Sequence, residues 1–209
     1  MKKIKLIYIF LICSIFFLTG CEKLEVESTQ NTDVSLQRNE TQPVLEENIS
    51  PPITSADVVP VELASYTTTI YTKTDERQNN VVLACAELSD VIIAPGETFS
   101  FCDTLGPATP EDGYQKADTF DSDGDIFQEY GGGKCQVSST LYNAVLATPN
   151  MEIVERHEHS NEVPYVPEGL DAAIAYGSVD LKFKNNNSYS VKIVASATED
   201  EVTVKILKV

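Results

Sequence analysis

The spacing of hydrophobic and polar residues predicts two helices after about residue 64. Residues 79–88 carry apolar side chains at helical spacing. Residues 135–147 show the same pattern, and Pro149-Asn150 ends it. The second helix is expected to bury one stripe of side chains, made of Val137, Leu141, Ala144, Val145 and Leu146.

Segments with strand character surround the two helices. Residues 64–72 are rich in β-branched and aromatic side chains. Further strands are predicted at residues 151–154, 163–166, 172–175, 179–183, 190–195 and 202–209, with a turn at residues 185–188. The later strands alternate polar and apolar residues as antiparallel strands do. We therefore predict an α+β fold with a mostly antiparallel sheet and two principal helices.

Two dipeptides predict hairpin turns. Pro95-Gly96 indicates a short hairpin-like unit, and Asp123-Gly124 is a favoured two-residue turn. The strands beside these turns are predicted at residues 91–93, 98–101, 117–120 and 126–130.

Acidic residues at the second hairpin tip raise the alternative of a calcium site. Asp121, Asp123 and Asp125 alternate along the tip, with Glu129 nearby, and such carboxylates can converge on a hard cation. The tip lacks the glycine after the third aspartate and the glutamate at the twelfth loop position of an EF-hand. A solvated hairpin tip is therefore the preferred interpretation.

The N-terminal residues resemble the signal peptide of a bacterial lipoprotein. Lys2, Lys3 and Lys5 precede an apolar run, residues 6–18, that is too short to span a membrane comfortably. The run ends in Leu18-Thr19-Gly20-Cys21, which is similar to the lipobox whose cysteine receives a diacylglyceryl group. We expect residues 1–20 to be cleaved and Cys21 to anchor the protein, through its lipid, on the extracytoplasmic face of the cell membrane. An uncleaved anchor and an ordinary secretory signal are the alternatives.

Polar and acidic residues dominate the next segment, residues 21–63. Its few large apolar side chains cannot bury enough surface to offset the entropy lost on ordering, which predicts a disordered tether. The remaining residues, 64–209, have the usual size of one domain. The formal net charge of −17 argues against nucleic acid as a partner and against electrostatic binding to anionic lipid.

Three glycines place a cysteine at the start of the second helix. Gly131, Gly132 and Gly133 directly precede Lys134-Cys135. A thiol in the first turn of a helix faces unpaired N–H groups and the positive end of the helix dipole, and both favour the thiolate. Cys135 is therefore the candidate nucleophile, with buried packing beneath a glycine turn as the alternative.

The two histidines of the chain, His157 and His159, follow the strand predicted at residues 151–154. Either imidazole could take the thiol proton, and period-two spacing would put both on one face of an extended segment. Together with Cys135 they could also bind zinc, but the chain has no second closely spaced ligand pair of the kind that strong zinc motifs show. We predict no metal and no cofactor.

A series of uncommon motifs runs in one order from residue 65 to about residue 188. These motifs are Phe99-Ser100-Phe101, Leu105-Gly106-Pro107, Gly113-Tyr114, residues 131–144, Glu155-Arg156, His159-Ser160, Tyr165-Val166-Pro167, Gly169, Asp171-Ala172 and residues 175–180. Together they resemble the VanW family, which is named after an accessory member of some vancomycin-resistance clusters and occurs among bacterial envelope proteins. The resemblance implies a cell-envelope protein and raises a link to glycopeptide resistance.

The order of the candidate residues is similar to the Cys-His-Asp arrangement of transglutaminase-like and papain-type enzymes. In such a triad the histidine takes the thiol proton, and the carboxylate fixes its tautomer. His159 is preferred over His157 because it lies within a family motif. Asp171, at a predicted strand start, is preferred over Asp180.

An oxyanion formed in such a reaction needs hydrogen-bond donors. The side chain of Gln136 and the backbone N–H of Cys135 are the two candidates.

The other two cysteines of the exported domain are Cys85 and Cys102. They could form a disulfide, which would leave Cys135 free, or Cys85 could simply pack in the core on its helix. In the VanW family a polar residue is usual at the position of Cys102 and a small apolar residue is common at that of Cys85. Both departures favour Cys135 as the functional thiol.

Two functions are consistent with these residues. In the first, the protein is a cysteine-dependent hydrolase or acyl transferase that acts on peptidoglycan peptides. In the second, it is a noncatalytic module that binds wall polymer or a membrane-bound partner through the groove beside residues 131–135. Only the enzyme requires a thiol of lowered pKa.

Overall fold

The computed structural model describes residues 60–120 and 125–209 of the chain. The elements of these ranges, in chain order, are β1 (Val61–Thr69), α1 (Asp75–Leu88), β2 (Ile92–Ile93), β3 (Thr98–Ser100), α2 (Phe101–Leu105), β4 (Lys116–Phe120), β5 (Ile126–Tyr130), α3 (Lys134–Leu146), β6 (Met151–Glu155), β7 (Lys182–Asn185), β8 (Val191–Ala197) and β9 (Glu201–Lys208). The predicted signal peptide, Cys21 and nearly all of the predicted tether lie outside the described residues.

A four-stranded antiparallel sheet carries most of the core. Its strand order is β1-β9-β8-β2. Strands β8 and β9 bury every second residue, as period-two patterning requires: Val191, Ile193, Ala195, Val202, Val204 and Ile206. Helix α3 packs against β1 and β9, and helix α1 packs against β8. The two helices therefore close one hydrophobic core over this sheet.

Two smaller antiparallel sheets complete the described part of the chain. One has the strand order β3-β7-β6 and joins the core through Phe99 and Phe183, whose rings stack with centroids 4.8 Å apart. The other is the two-stranded hairpin β4-β5, whose second strand is solvent-exposed along its whole length. The α+β prediction is confirmed, with the short helix α2 added to the two principal helices.

The hairpin predicted around Pro95-Gly96 is wrong, although the turn exists. The N–H of Glu97 donates to the carbonyl of Ala94 at 3.1 Å, and Gly96 has φ +78°. However, β2 pairs with β8 and β3 pairs with β7, so the two segments enter different sheets. Strands of two and three residues gain more by adding to the edges of longer strands than by pairing with each other.

Residues 163–166 and 172–175 form no strand, apart from a single bridge at Ala175, which corrects both predictions. These residues lie in the irregular segment between β6 and β7, and carbonyl groups of this segment accept hydrogen bonds from side chains of α3.

The prediction that Leu146 belongs to the buried stripe of the second helix is wrong, since this residue is 48% exposed. The other four residues of that stripe are buried.

The hairpin predicted between residues 117–120 and 126–130 is confirmed, with Lys116 opposite Tyr130 and Phe120 opposite Ile126. Its tip, with Asp121 and Asp123, lies outside the described residues.

Within residues 60–120 and 125–209, no three His, Cys, Asp or Glu side chains are grouped closely enough to hold a metal ion. In the same ranges, every helix is too short or too polar to cross a bilayer.

Candidate active site

The glycine turn before α3 packs so closely that side chains are excluded. A Cβ atom on Gly131 would lie 2.4 Å from the Cβ of Ala108, and one on Gly133 would lie 2.8 Å from Val81. At Gly132 it would lie 2.6 Å from the carbonyl oxygen of Ala117. The turn therefore seats the N-terminus of α3 between α1 and the β4-β5 hairpin.

Cys135 is the second residue of α3 and lines an open cavity of about 800 Å³. Its thiol is partly buried and lies 3.6 Å from the carbonyl oxygen of Ile174, to which it can donate. The cavity wall also includes His159 and, from the exposed hairpin, Phe127 and Tyr130. The thiol is thus accessible from outside while its backbone is fixed by the helix.

His159 hydrogen-bonds Asp171 and lines the same cavity as Cys135. Its Nδ1 lies 2.5 Å from Oδ2 of Asp171, and its backbone N–H donates to the same oxygen at 2.7 Å. The neighbouring Cys135 also acts to raise the pKa of His159. Because Asp171 occupies Nδ1, Nε2 is the nitrogen left to face the thiol. The structure thus brings Cys135, His159 and Asp171 together in triad order.

Protonation in this cluster follows from its contacts. Burial acts to lower the pKa of His159, but its hydrogen bonds to Cys135 and Asp171, with the charges of these groups, outweigh burial and raise the pKa. Burial acts to raise the pKa of Asp171, but the two hydrogen bonds from His159 prevail and hold it below its usual range. Asp171 is therefore an anion that favours the imidazolium form of His159.

Arg156 holds the second oxygen of Asp171. Its Nη2 lies 2.8 Å from Oδ1 of Asp171, and its Nε donates to the carbonyl of the same residue at 2.6 Å. Its guanidinium also lies over the ring of Tyr142, 5.3 Å from the centroid, and pairs with Glu158. One of these bonds is to the carboxylate and the other to the backbone, so Arg156 fixes Asp171 through the oxygen that His159 does not contact.

Polar side chains of α3 position the segment that carries Asp171. Ser138 and Ser139 both bond the backbone of Ala172. The hydroxyl of Ser138 donates to the carbonyl of Ala172, and the N–H of Ala172 donates to Oγ of Ser139 at 2.9 Å. Asn143 Nδ2 donates to the carbonyl of Leu170 at 2.7 Å. The helix that presents the thiol therefore also sets the position of the carboxylate.

Gln136 does not reach the thiol side of the helix. Its Nε2 donates to Thr68 Oγ1 at 3.1 Å and to the carbonyl of Thr69 at 3.0 Å, and its Oε1 accepts from Arg77. These bonds tie α3 to β1 and to α1. Of the two oxyanion donors considered in the sequence, the backbone N–H of Cys135 is the one that remains near the cavity.

The alternative histidine, His157, lines the same cavity but bonds Glu155, and the alternative aspartate, Asp180, does not line it. Strand β6 ends at Glu155, so His157 and His159 are in a loop and do not share a strand face. His157 is exposed, with Nε2 3.0 Å from Oε1 of Glu155. Asp180 accepts from the hydroxyl of Ser100 and the N–H of Cys102. It therefore supports the start of α2 rather than the imidazole.

The described residues contain free thiols and no disulfide. Cys85 is buried in the core, where burial raises its pKa to about 12. Cys102 lines the cavity and donates to the carbonyl of Val179; burial and then the neighbouring Asp180 raise its pKa to about 12. Both thiols are held in the neutral form at ordinary pH.

Several site residues were missed as functional by sequence analysis. Arg156 and Tyr165 lie within two of the VanW-family motifs, Glu155-Arg156 and Tyr165-Val166-Pro167. Their place in these motifs could have identified them as candidate site residues. Arg77 precedes the apolar pattern of its helix, and nothing in its sequence surroundings marks it. All three are brought to the site by contacts between distant segments.

The structure defines an α+β domain in which a thiol and an imidazole line one cavity and a carboxylate hydrogen-bonds the imidazole. The family model described as VanW like protein matches residues 76–207. The chain therefore belongs to the VanW family.

The chain is similar to two curated proteins. It is 36% identical to the uncharacterized protein YoaR of Bacillus subtilis over 155 residues, which is 73% of this chain and 50% of YoaR. It is 32% identical to the vancomycin B-type resistance protein VanW of Enterococcus faecalis over 130 residues, which is 59% of this chain and 46% of that protein. The chain thus spans about half the length of these relatives. No solved structure matches it.

Proposed function

We propose that this VanW-family protein is a cysteine-dependent hydrolase or acyl transferase that acts on peptidoglycan peptides. The observation that carries the proposal is the placement of Cys135 and His159 on the wall of one cavity, with the His159 ring hydrogen-bonded to Asp171. A nucleophile, a base and a group that orients the base are the parts that such chemistry requires. Cys135 and His159 line an open cavity, which gives a substrate access to the thiol.

The proposed reaction starts with proton transfer from the Cys135 thiol to Nε2 of His159. The thiolate adds to an amide carbonyl, and the N–H of Cys135, in the first turn of α3, is placed to stabilise the oxyanion. The imidazolium gives its proton to the leaving amine as the C–N bond breaks, which leaves a thioester on Cys135. Water or an acceptor amine then releases the acyl group and restores the thiol.

The proposed substrate and location follow from the N-terminus and the relatives. The lipobox-like sequence that ends in Cys21 supports a lipid anchor outside the cytoplasmic membrane, with residues 21–63 as a tether. A domain held there meets peptidoglycan. The relative named as a vancomycin B-type resistance protein supports a link to glycopeptide resistance. Cofactors are not needed for the proposed steps.

Alkylation kinetics test the thiol directly. Purified full-length protein is treated with iodoacetamide across pH 5–10, and mass spectrometry of the Cys135 peptide gives the rate at each pH. We expect a midpoint well below the ordinary thiol value of about 8.5, and a higher midpoint in His159→Ala. His157→Ala is the matched control: that imidazole lines the same cavity but bonds Glu155, so its loss should leave the midpoint unchanged. Cys85 and Cys102 should react slowly throughout.

The outcome separates the two functional hypotheses. A low midpoint that depends on His159 supports the enzyme, and muropeptide products that form with wild type but not with Cys135→Ser would identify the substrate. An ordinary midpoint that is unchanged in His159→Ala would contradict the enzyme proposal. The protein would then be better explained as a noncatalytic wall-binding module, tested by sedimentation with purified peptidoglycan.

A further inference from the structure

Three exposed aromatic side chains line the candidate active-site cavity. Phe127 and Tyr130 of β5 are 40% and 38% exposed, and Tyr176, in the segment before β7, is 59% exposed. Among the residues that the structure describes, Tyr71 is the one other aromatic residue with such exposure, and it lies outside the cavity. Exposed rings gathered at one cavity indicate a surface that binds a ligand.

One face of the β4-β5 hairpin is turned towards this cavity. The register places Thr119 opposite Phe127 and Ala117 opposite Glu129. Residues directly opposite each other, and residues two apart on one strand, share a face of a sheet. Thr119, Phe127 and Glu129 all line the cavity, and Ala117 is buried beside the glycine turn. Phe127 and Glu129 are therefore neighbours on the cavity face of the hairpin.

Glu129 is a carboxylate of the cavity wall without an ion pair. Within residues 60–120 and 125–209, no Lys, Arg or His side chain lies within ion-pair distance of it. Glu158, which also lines the cavity, pairs with Arg156. The ammonium of Lys134, on the same wall, is buried and donates to the carbonyl of Gly106. Glu129 therefore leaves a negative charge on the hairpin side of the cavity.

An aromatic ring beside a carboxylate is suited to an ammonium group. A cation is attracted to the face of a ring within about 6 Å of its centroid, and residues two apart on a strand lie about 7 Å from each other. One ammonium can thus contact the ring of Phe127 while it donates to the carboxylate of Glu129. The Tyr130 ring already has Nζ of Lys116 at 5.4 Å from its centroid, which leaves Phe127 as the ring of β5 for a ligand cation.

We propose that Phe127 and Glu129 form a specificity subsite for a peptide side chain that ends in an ammonium group. The proposal rests on the proposed function, since it assumes that a peptide substrate enters the cavity that Cys135 lines. An apolar side chain in this place would take water from the Glu129 carboxylate without giving it a partner. An acidic side chain would be repelled by it. A basic side chain satisfies both the ring and the charge.

Peptide binding to full-length Cys135→Ser tests this subsite without turnover. The probes are acetyl-Ala-Lys-Ala-amide and the same peptide with Nε-acetyllysine, and NMR titration gives the Kd of each. The lysine peptide should bind about 10-fold more tightly, because it gains an ion pair and a cation–π contact. A further Glu129→Gln substitution should reduce this preference to about 3-fold, since the ring contact alone remains.

Asp118→Asn is the matched control for the charge. This exposed carboxylate belongs to the same hairpin but lies opposite Gln128, on the face that is turned away from the cavity. Its loss should leave the 10-fold preference unchanged if the preference arises at the subsite. Phe127→Leu, which keeps an apolar side chain but removes the ring, should lower the preference, and Phe127→Tyr should restore it. Thermal unfolding of each variant shows whether its fold is retained.

The comparison of the two peptides needs no variant of the subsite. Equal affinities, or no binding of either peptide, would overturn the proposal, as would a full preference in Glu129→Gln. The proposed function is judged separately, by alkylation of Cys135 in the wild type. An ordinary midpoint that His159→Ala does not change contradicts the enzyme, whatever the peptides do. A low, His159-dependent midpoint without a preference for the lysine peptide contradicts this inference alone.

Discussion

Asp171 is hydrogen-bonded through both of its carboxylate oxygens. Oδ1 pairs with Arg156, and Oδ2 accepts both the backbone N–H and the Nδ1–H of His159. The backbone contact means that the carboxylate positions the loop as well as the imidazole. One residue therefore fixes the tautomer of His159, its ring orientation and its distance from the thiol.

Asp171→Asn tests the charge of this residue while keeping its shape. Loss of the anion removes a contribution that raises the pKa of His159, so that pKa should fall, and an imidazolium-stabilised thiolate should form less readily. We expect a lower His159 midpoint in NMR titration and a rate of Cys135 alkylation at pH 6.5 reduced by about 10-fold.

Asp180→Asn is the matched control for this prediction. That aspartate also accepts backbone and side-chain bonds, but its partners are Ser100 and Cys102. It should leave the His159 midpoint unchanged. Equal shifts in both variants would mean that the effect comes from general loss of negative charge or from altered folding.

At the scale of elements, the glycine turn decides where α3 begins. Its residues touch α1, the segment after α2 and strand β4, so the helix N-terminus is set by three neighbours at once. Gly131 and Gly133 have positive φ, but Gly132 does not. At Gly132 a side chain is excluded only by the adjacent backbone of Ala117 and Asp118.

Gly132→Ala should therefore be strongly destabilising. The new Cβ would lie 2.6 Å from a carbonyl oxygen of β4 that cannot move without the hairpin. We expect a loss of about 3 kcal/mol in the free energy of unfolding, measured by urea denaturation. Gly169→Ala is the control: its φ is +77° but its Cβ would meet nothing within 4 Å, so backbone strain of about 1 kcal/mol is the expected cost. Equal losses would contradict the packing argument.

Periodicity explains which elements could be predicted from sequence. Helix α1 and strands β8 and β9 bury residues at regular intervals, so their patterns predicted them. Helix α3 was predicted from the spacing of its apolar residues, although its polar residues are buried as well. The segment between β6 and β7 has no period, because side chains of α3 satisfy part of its backbone. Strand-like composition at residues 163–166 and 172–175 was therefore misleading.

The candidate site was also predictable only in part, because residue types can be read from the sequence but contacts between distant residues cannot. The thiol, the imidazole and the carboxylate were named because their residue types suit the chemistry. The position of Gln136 was misjudged, because the next residue on a helix points about 100° away from Cys135 and here faces β1. Arg77 lies 59 positions earlier than Gln136 in the numbering, and packing alone joins them.

At the scale of the whole molecule, attachment to the membrane is the feature to test. We predict that wild-type protein expressed in a bacterial host partitions with the membrane fraction and carries a diacylglyceryl group on Cys21. Cys21→Ala should be released into the aqueous phase of a detergent partition, or remain unprocessed at a higher apparent mass. Cys13→Ala is the matched control, since that cysteine precedes the expected cleavage site. Unchanged partition of Cys21→Ala would contradict lipidation.

Strand β1 determines how the domain responds to mechanical load. It is an edge strand whose register with β9 begins at Val61 opposite Lys208 and ends at Thr69 opposite Glu201. A force that pulls Val61 away from Lys208 opens the pairs one after another, starting at this end of the strand. The amide of Gln136 binds Thr68 and Thr69, at the other end of β1. In this geometry the bonds between Gln136 and β1 are among the last contacts of the strand to break.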